Sequence, residues 1–223
     1  MSTHPTIRSD LHNHTHFSRD SILSPRDLVR RANDVGLGCV AVTDHNTIRG
    51  GLAVREIADF PVIVGEEARS EDGEILGLFL TEDIPEGLPA AETIARIKDQ
   101  GGIVGIPHPF DSLRSALREE TMTDLIAQID FIEGLNSRII FPLHNKRAVE
   151  FARKHDRPVS AASDAHCARE LGRSYVEMPP FSGREDFVRS LRAGQLVGRL
   201  SSPLIHLVSR YSVLRRRLGW RPG

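Results

Sequence analysis

Cysteine is nearly absent from this sequence of 223 residues. Cys39 and Cys167 are the only two, and no C-x-x-C pair occurs. A disulfide framework or a thiolate zinc site is therefore not expected, and a reduced, cytoplasmic setting fits. No run of roughly 18 apolar residues occurs, so no transmembrane segment is expected. Residues 1–11 (MSTHPTIRSDL) lack the apolar core of a secretory signal. Charge of one sign is also missing. A formal net charge of -1 gives no global pull towards a membrane or long nucleic acid, which is not expected as an obligate partner. A small pocket filled with metal can still be locally positive and accept a phosphorylated substrate. There is no G-x-S-x-G, and lysine is confined to Lys98, Lys146 and Lys154.

What remains is ordinary for a globular chain: 39% hydrophobic and 26% charged residues, enough for one domain with a core. Thr6–Leu11 reads as a first strand. Ser24-Pro25-Arg26-Asp27 opens a helix, with Ser24 as N-cap and Pro25 at the first helical position, and Gly36 and Gly38 stop it. Further strands are expected at Cys39–Thr43, Pro61–Val64, Ile103–Ile106, Phe131–Leu135, Pro158–Ala162 and Ser174–Met178. A hairpin is expected over 66–80, turning at Asp72-Gly73. Helices are expected over 47–58, 89–100, 144–155 and 183–193. Without repeats or linkers the chain reads as a single domain over 1–223, its core at about 8–200 and an amphipathic helix over 201–223.

The alternation of strands and helices implies a parallel α/β sheet. Polar residues follow directly on the apolar runs: His12 and His14, Asp44 and His45, Glu67, His108, Asn136, Asp164 and His166. These are the ends of six strands, which an open sheet would not gather at one switch point, so a barrel-like fold is favoured. Ten histidines occur, and three fall within five residues, His12, His14 and His16. In an extended segment His12 and His14 point to one side, as do Asp164 and His166. Pro109 biases His108 towards an extended backbone. Burying so many ionisable groups together costs several kcal/mol without a cation. The constellation therefore either faces open water or binds metal.

Asp10-Leu-His12-Asn-His14, Val42-Thr-Asp44-His45-Asn46, Gly65-Glu-Glu67, Ile106-Pro-His108-Pro109 and Ser163-Asp164-Ala-His166 resemble, in order, the motifs of the PHP (polymerase and histidinol phosphatase) family. The stretches 72–80 and 101–111 resemble its small stand-alone phosphoesterases. The resemblance covers about residues 8–178. It implies a distorted (β/α)7 TIM-like barrel holding two or three divalent ions, zinc, manganese or iron. By motif, His12, His14 and Asp164 would bind one ion. Glu67 would bridge it to a second, which His108 also holds. Asp20, His45 and His166 would hold a third. Asp20 stands where some members have histidine. Glu74 stands where many do, so either Glu74 is a ligand or that ligand is missing.

Asp44 reads as a partner that orients a ligand imidazole. Arg19, Arg69 and Arg138 are candidates to clamp a phosphate. Asn136 either faces the pocket or caps the next segment, and His16 lies near the site. His4, His144, His155 and His206 read as surface or helix residues. Leu204, Leu207, Val208, Tyr211, Leu214 and Leu218 fall at helical spacing with Arg210, Arg215, Arg216 and Arg217 between them, a basic amphipathic helix expected to dock its apolar stripe on the domain itself, the alternative being a membrane surface or an anion. The expected reaction is hydrolysis of a small phosphate monoester or nucleotide phosphate by a metal-bridging hydroxide. Two other readings compete: an amidohydrolase-type C–N hydrolase, which often uses a carboxylated strand lysine not seen here, and a non-catalytic metal-binding PHP module. Oligomeric state is not legible.

Overall fold

The computed structural model describes residues 5–219; His4 and the last four positions lie outside them. The elements in order are β1 (Ile7–Asp10), α1 (Pro25–Asp34), β2 (Cys39–His45), α2 (Arg49–Arg55), β3 (Val62–Arg69), β4 (Glu74–Leu78), α3 (Ala90–Asp99), β5 (Ile103–Ile106) and α4 (Glu119–Asp124). Then follow β6 (Phe131–Asn136), α5 (Pro142–Lys154), β7 (Val159–Ala162), β8 (Ser174–Met178), α6 (Arg184–Arg192), β9 (Gln195–Gly198) and α7 (His206–Arg217). All the strands join one sheet in the order β7-β6-β5-β4-β3-β2-β1-β8-β9. β4 runs antiparallel to both neighbours, and β8 does the same. The other seven strands share one direction. The two ends of the sheet meet through side chains: Ser163 Oγ donates to Ser174 O at 3.3 Å, and Ser137 Oγ lies 2.6 Å from Ser174 Oγ. The result is the expected distorted seven-stranded barrel, nearly closed, with two antiparallel strands inserted.

Local chemistry accounts for the element ends. Ser24 Oγ accepts from Asp27 N at 3.1 Å, which caps α1 behind Pro25. The helix stops where Gly36 takes φ +68°, a left-handed conformation that an L side chain resists. The expected strand at 61–64 and the first arm of the hairpin are one strand, β3. Its turn at Asp72-Gly73 is tied by Ser70 Oγ, which donates to Gly73 O at 2.5 Å. α4 and β9 were not legible: β9 offers only Leu196 and Val197 as apolar residues, too few for an alternating pattern.

Period-2 alternation explains why the barrel has an apolar floor and a polar mouth. On the inward face of β2, Cys39 and Ala41 lead to Thr43 and then His45. On β3, Ile63 leads through Gly65 to Glu67. On β6, Phe131 leads to Glu133. The lower members pack with Leu11, Leu76, Leu78, Ala161, Val176 and Met178, and α6 plugs the floor with Phe187 and Leu191. The outward faces take Val40 and Val42 under α1 and α2, and Val104, Ile106 and Ile132 under α3 and α5. Among the described residues no helix is long and apolar enough to cross a membrane.

Glu66 illustrates the outward face of β3. It is buried beneath Ile84, whose N–H donates to Oε2 at 3.0 Å. Burial, with Asp83 nearby, pushes its carboxyl up to about 8 from 4.5. The folded state thus holds the proton more tightly than the unfolded chain. Stability is fully present below the unfolded value and is lost as pH rises through about 8. Glu66→Gln keeps the acceptor for Ile84 and removes the titration. The variant is expected to match the wild type near pH 5 and to exceed it in thermal midpoint above pH 8. A midpoint difference that stays constant with pH would count against this account.

Candidate metal centre

The side chains at the barrel mouth converge on Glu67, which is 1% exposed. Its Oε1 lies 2.9 Å from His108 Nε2. Its Oε2 lies 3.4 Å from both His12 Nε2 and His14 Nε2, and 3.0 Å from His45 Nδ1. Asp164 Oδ1 stands 3.4 Å from His14 Nε2 and 3.5 Å from His166 Nδ1. Asp20 Oδ2 lies 3.0 Å from His166 Nε2 and 3.6 Å from His45 Nε2. Glu74 Oε2 is 3.8 Å from His108 Nε2. Three sets have ligand atoms all within 4.8 Å of one another: His12, His14 and Asp164; His14, His45 and His166; His45, Glu67 and Glu74. All nine expected ligands therefore meet in one place, Asp20 and Glu74 included.

Whether this cluster fits metal is decided by the outer nitrogens of the histidines. His12 Nδ1 lies 3.0 Å from Glu133 Oε1, an acceptor, so it carries the hydrogen. His166 Nδ1 lies 2.9 Å from the carbonyl of Asp164, with the same consequence. His14 Nδ1 lies 3.2 Å from Ser18 Oγ, whose own hydrogen goes to Asp44 Oδ1 at 2.6 Å. The hydroxyl can only accept from the ring. All three imidazoles thus carry a hydrogen on Nδ1 and turn Nε2 inward, so that in the neutral ring the inward nitrogen is a bare lone pair. The Nε2 atoms of His12 and His14 stand 3.0 Å apart, and that of His166 faces a carboxylate oxygen. Lone pairs packed against each other and against carboxylates repel unless a cation lies among them. Asp164 Oδ1 and Asp20 Oδ1 are also buried without a hydrogen-bond partner. The residues fit a set of divalent ions.

Charge in the pocket agrees. Burial lowers the His14 imidazole to about 3, helped by His166 and His45, so it is neutral at pH 7. Burial acts the same way on His12, but Glu67, Asp164 and Glu133 outweigh it and hold that ring well above its usual value. Those carboxylates favour a positive charge at the inward edge of His12, the place a bound cation would take. Burial opposes charge on Asp164, yet Arg114 and His12 hold it well below the carboxylate range. Asp20 is lowered in the same way against its own burial, by His166 and His45.

Asp44 does not reach the pocket. Its carboxylate takes four donors, the amide and hydroxyl of both Thr15 and Ser18, and through Ser18 it orients His14. Burial raises it to about 6 against those four bonds. A Cβ on Gly50 would lie 1.8 Å from Asp44 Oδ2, so only glycine lets α2 sit there. Its hydrogen bonds tie down the 14–18 loop. Of the arginines, Arg138 lines the pocket, 3% exposed, with Glu170 at 3.4 Å and Ser209 Oγ at 2.9 Å. Arg19 and Arg69 line a neighbouring cavity instead, of about 470 Å³, which meets the first at Asp20, His45 and Glu74.

Several sequence expectations need correction. His108 is not extended: φ is +26°, and the strained backbone is held by its N–H donating to Glu133 Oε2 at 2.5 Å. His206 is a helix residue, the first of α7, and it also lines the pocket of about 230 Å³ together with Ser209. Asn136 both faces the site, donating to Glu133 and Asp164, and caps the next segment by accepting from Arg138 N. Arg114, which ion-pairs with Asp164, was missed because a lone loop arginine carries no pattern. Glu133 was missed too. Its signal was present, an acid inside the apolar run Phe131–Leu135. No lysine is near: Lys98, Lys146 and Lys154 all sit in α3 and α5.

Known proteins share this fold or part of this sequence. A provisionally assigned metal-dependent phosphoesterase from Bifidobacterium adolescentis superposes with a TM-score of 0.58 at 23% identity, covering 73% of this chain and 89% of that one. The lesion-specific endonuclease Q of Pyrococcus furiosus superposes with a TM-score of 0.63 at 16% identity, over 89% of this chain and 60% of that one. An uncharacterized protein of Methanocaldococcus jannaschii is 40% identical over 144 residues, 59% of this chain and 82% of that protein. The model of the PHP-associated region matches residues 142–196. The PHP domain model matches residues 10–137, more than half of the sequence and seven of the nine expected ligands, and the chain belongs to the PHP family.

Proposed function

We propose that the protein is a metal-dependent phosphoesterase that hydrolyses a small phosphate monoester or nucleotide phosphate. The observation that carries this reading is the set of inward lone pairs on His12, His14 and His166, fixed from behind by Glu133, Ser18 and the Asp164 carbonyl. His12, His14, Asp164, Glu67, His108, Glu74, Asp20, His45 and His166 would hold two or three ions, zinc, manganese or iron. When bound, such ions neutralise phosphoryl oxygens and lower the pKa of water. The chain's own residues do the rest. Arg114 and Arg138 border the same pocket and offer guanidinium donors to a phosphate. With Ser115, Ser209 and His206 they restrict the pocket to about 230 Å³, room for a phosphoryl group. The adjoining cavity, with Arg19, Arg49 and Arg69 on its wall, would take the leaving group.

A nucleic-acid substrate is the reading that the endonuclease Q likeness raises. The position of α7 supports a small ester instead, because His206 and Ser209 stand at the pocket wall. The lack of a nearby lysine weighs against a carboxylated-lysine amidohydrolase. The deciding experiment is a hydrolysis screen with an aryl phosphate and a panel of phosphorylated metabolites, loaded with manganese, zinc and iron in turn. A duplex containing an abasic site and a cyclic amide are run beside it. Metal-dependent release of phosphate from a small ester is expected. Cleavage of the duplex or the amide with no ester turnover would reject the proposal.

A further inference from the structure

The C-terminal helix faces the opposite way from its sequence expectation. Its polar side is turned inward. Ser212 Oγ lies 3.1 Å from the carbonyls of both Arg19 and Ser21, and Arg216 Nη2 is 3.0 Å from the carbonyl of Ser18. The loop that bears Asp20 turns carbonyls towards α7, and those of Arg19 and Ser21 find a donor in Ser212. The apolar side is consequently left in water: Leu204 is 71% exposed, Leu207 58%, Tyr211 53%, Leu214 55% and Leu218 79%.

These five residues follow a 3-4-3-4 spacing, the a and d positions of a heptad running through the turn at Pro203–Ile205 and α7. Leu207, Tyr211 and Leu214 lie within α7, where at about 100° per residue they occupy a stripe of about 60°, and Leu204 and Leu218 flank its two ends. Arg210 and Arg217 border it on one side and Arg215 on the other. No acid follows Asp186 in the sequence, whereas eight arginines do. A stripe this narrow is a helix-packing seam rather than the broad apolar sector of a helix lying in a lipid interface. A second copy of the chain would place arginine against arginine across the seam in either orientation. An acidic partner would pair with them.

We propose that α7 is a docking seam for an acidic amphipathic helix of another protein, with leucine-type residues in its core positions and glutamate or aspartate at the flanks. The seam lies on the face of α7 away from the pocket, and both family matches end before it, at residues 137 and 196. The proposal therefore stands apart from the phosphoesterase reading.

A labelled synthetic peptide of about three heptads, with leucine in its core and glutamate at its flanks, is titrated against the full chain by fluorescence anisotropy. Saturable binding is expected. The double variant Leu207→Asp/Leu214→Asp should weaken it roughly tenfold or more. The double variant Arg210→Glu/Arg217→Glu should shift preference to a lysine-flanked peptide. Metal content and any ester turnover should be unchanged in both, because none of the four positions lines the pocket. Equal binding of the two peptides, or binding of neither, overturns the proposal. Co-sedimentation with phosphatidylserine vesicles without peptide binding also overturns it. So does self-association of the chain that the leucine variants abolish.

Discussion

Glu67→Ala is expected to strip the centre of its ions and, with them, turnover. No other carboxylate touches so many imidazoles: His12, His14, His45 and His108 all lie within 3.4 Å of its two oxygens. Removing it leaves imidazoles from three separate segments without a shared anion. If the ions supply several kcal/mol of transition-state stabilisation, the rate should fall by about three orders of magnitude or more, at roughly 1.4 kcal/mol per decade. Elemental analysis of the purified variant and initial rates on the best ester measure both quantities. The isosteric Glu67→Gln controls for cavity formation and should lose most of the same activity, because a neutral amide cannot replace the anion. Wild-type turnover with full metal content in either variant would refute the role assigned to Glu67.

The second large effect is expected at Glu133, which touches no proposed ion. Its Oε1 receives the His12 Nδ1 hydrogen at 3.0 Å, while Oε2 receives the His108 amide and Asn136 Nδ2 at 2.9 Å. In Glu133→Gln one of these two positions becomes an NH2 group. The oxygen side is claimed by two donors, so the amide nitrogen faces His12 and can only donate. His12 is then driven to the Nε2–H tautomer, which aims a proton where its lone pair pointed. Metal affinity should drop about 10- to 100-fold, the usual cost of losing a partner that orients a ligand. Competition titration against a chelator gives the affinity, and nitrogen NMR of the His12 ring reports the tautomer. An affinity within about twofold of wild type would show that the ring does not depend on Glu133.

The contrast between Glu67 and Glu133 also marks how far sequence reasoning reaches. Glu67 was legible because it ends an apolar strand, at the point where a barrel opens to solvent. Glu133 sits one step deeper, in the middle of β6, and its meaning comes from the two elements beside it. His12 lies just past the end of β1, and the His108 amide in the loop after β5. Arg114 and His206 were illegible for a related reason. A single charged or polar residue in a loop or at a helix start has no periodicity, and only packing reveals what it faces. The strained φ of His108 overrode the local bias imposed by Pro109, because a buried carboxylate held its amide.

Asp20 and Glu74 were marked only by the family resemblance; by itself, the sequence determined the order of the strands and helices other than α4 and β9, and the arrival of His12, His14, His45, Glu67, His108, Asp164 and His166 at strand ends. Each of these follows from alternation along a strand or from spacing within one segment, so no distant neighbour had to be known. Tertiary structure alone decided which nitrogen of each imidazole points inward, where Arg114 and Glu133 act, and which face of α7 meets the domain. Those outcomes depend on donors and acceptors brought together from far along the chain. In α7 the carbonyls of the 16–21 loop claimed the polar face, and an apolar stripe that helical spacing marks for burial was left facing water.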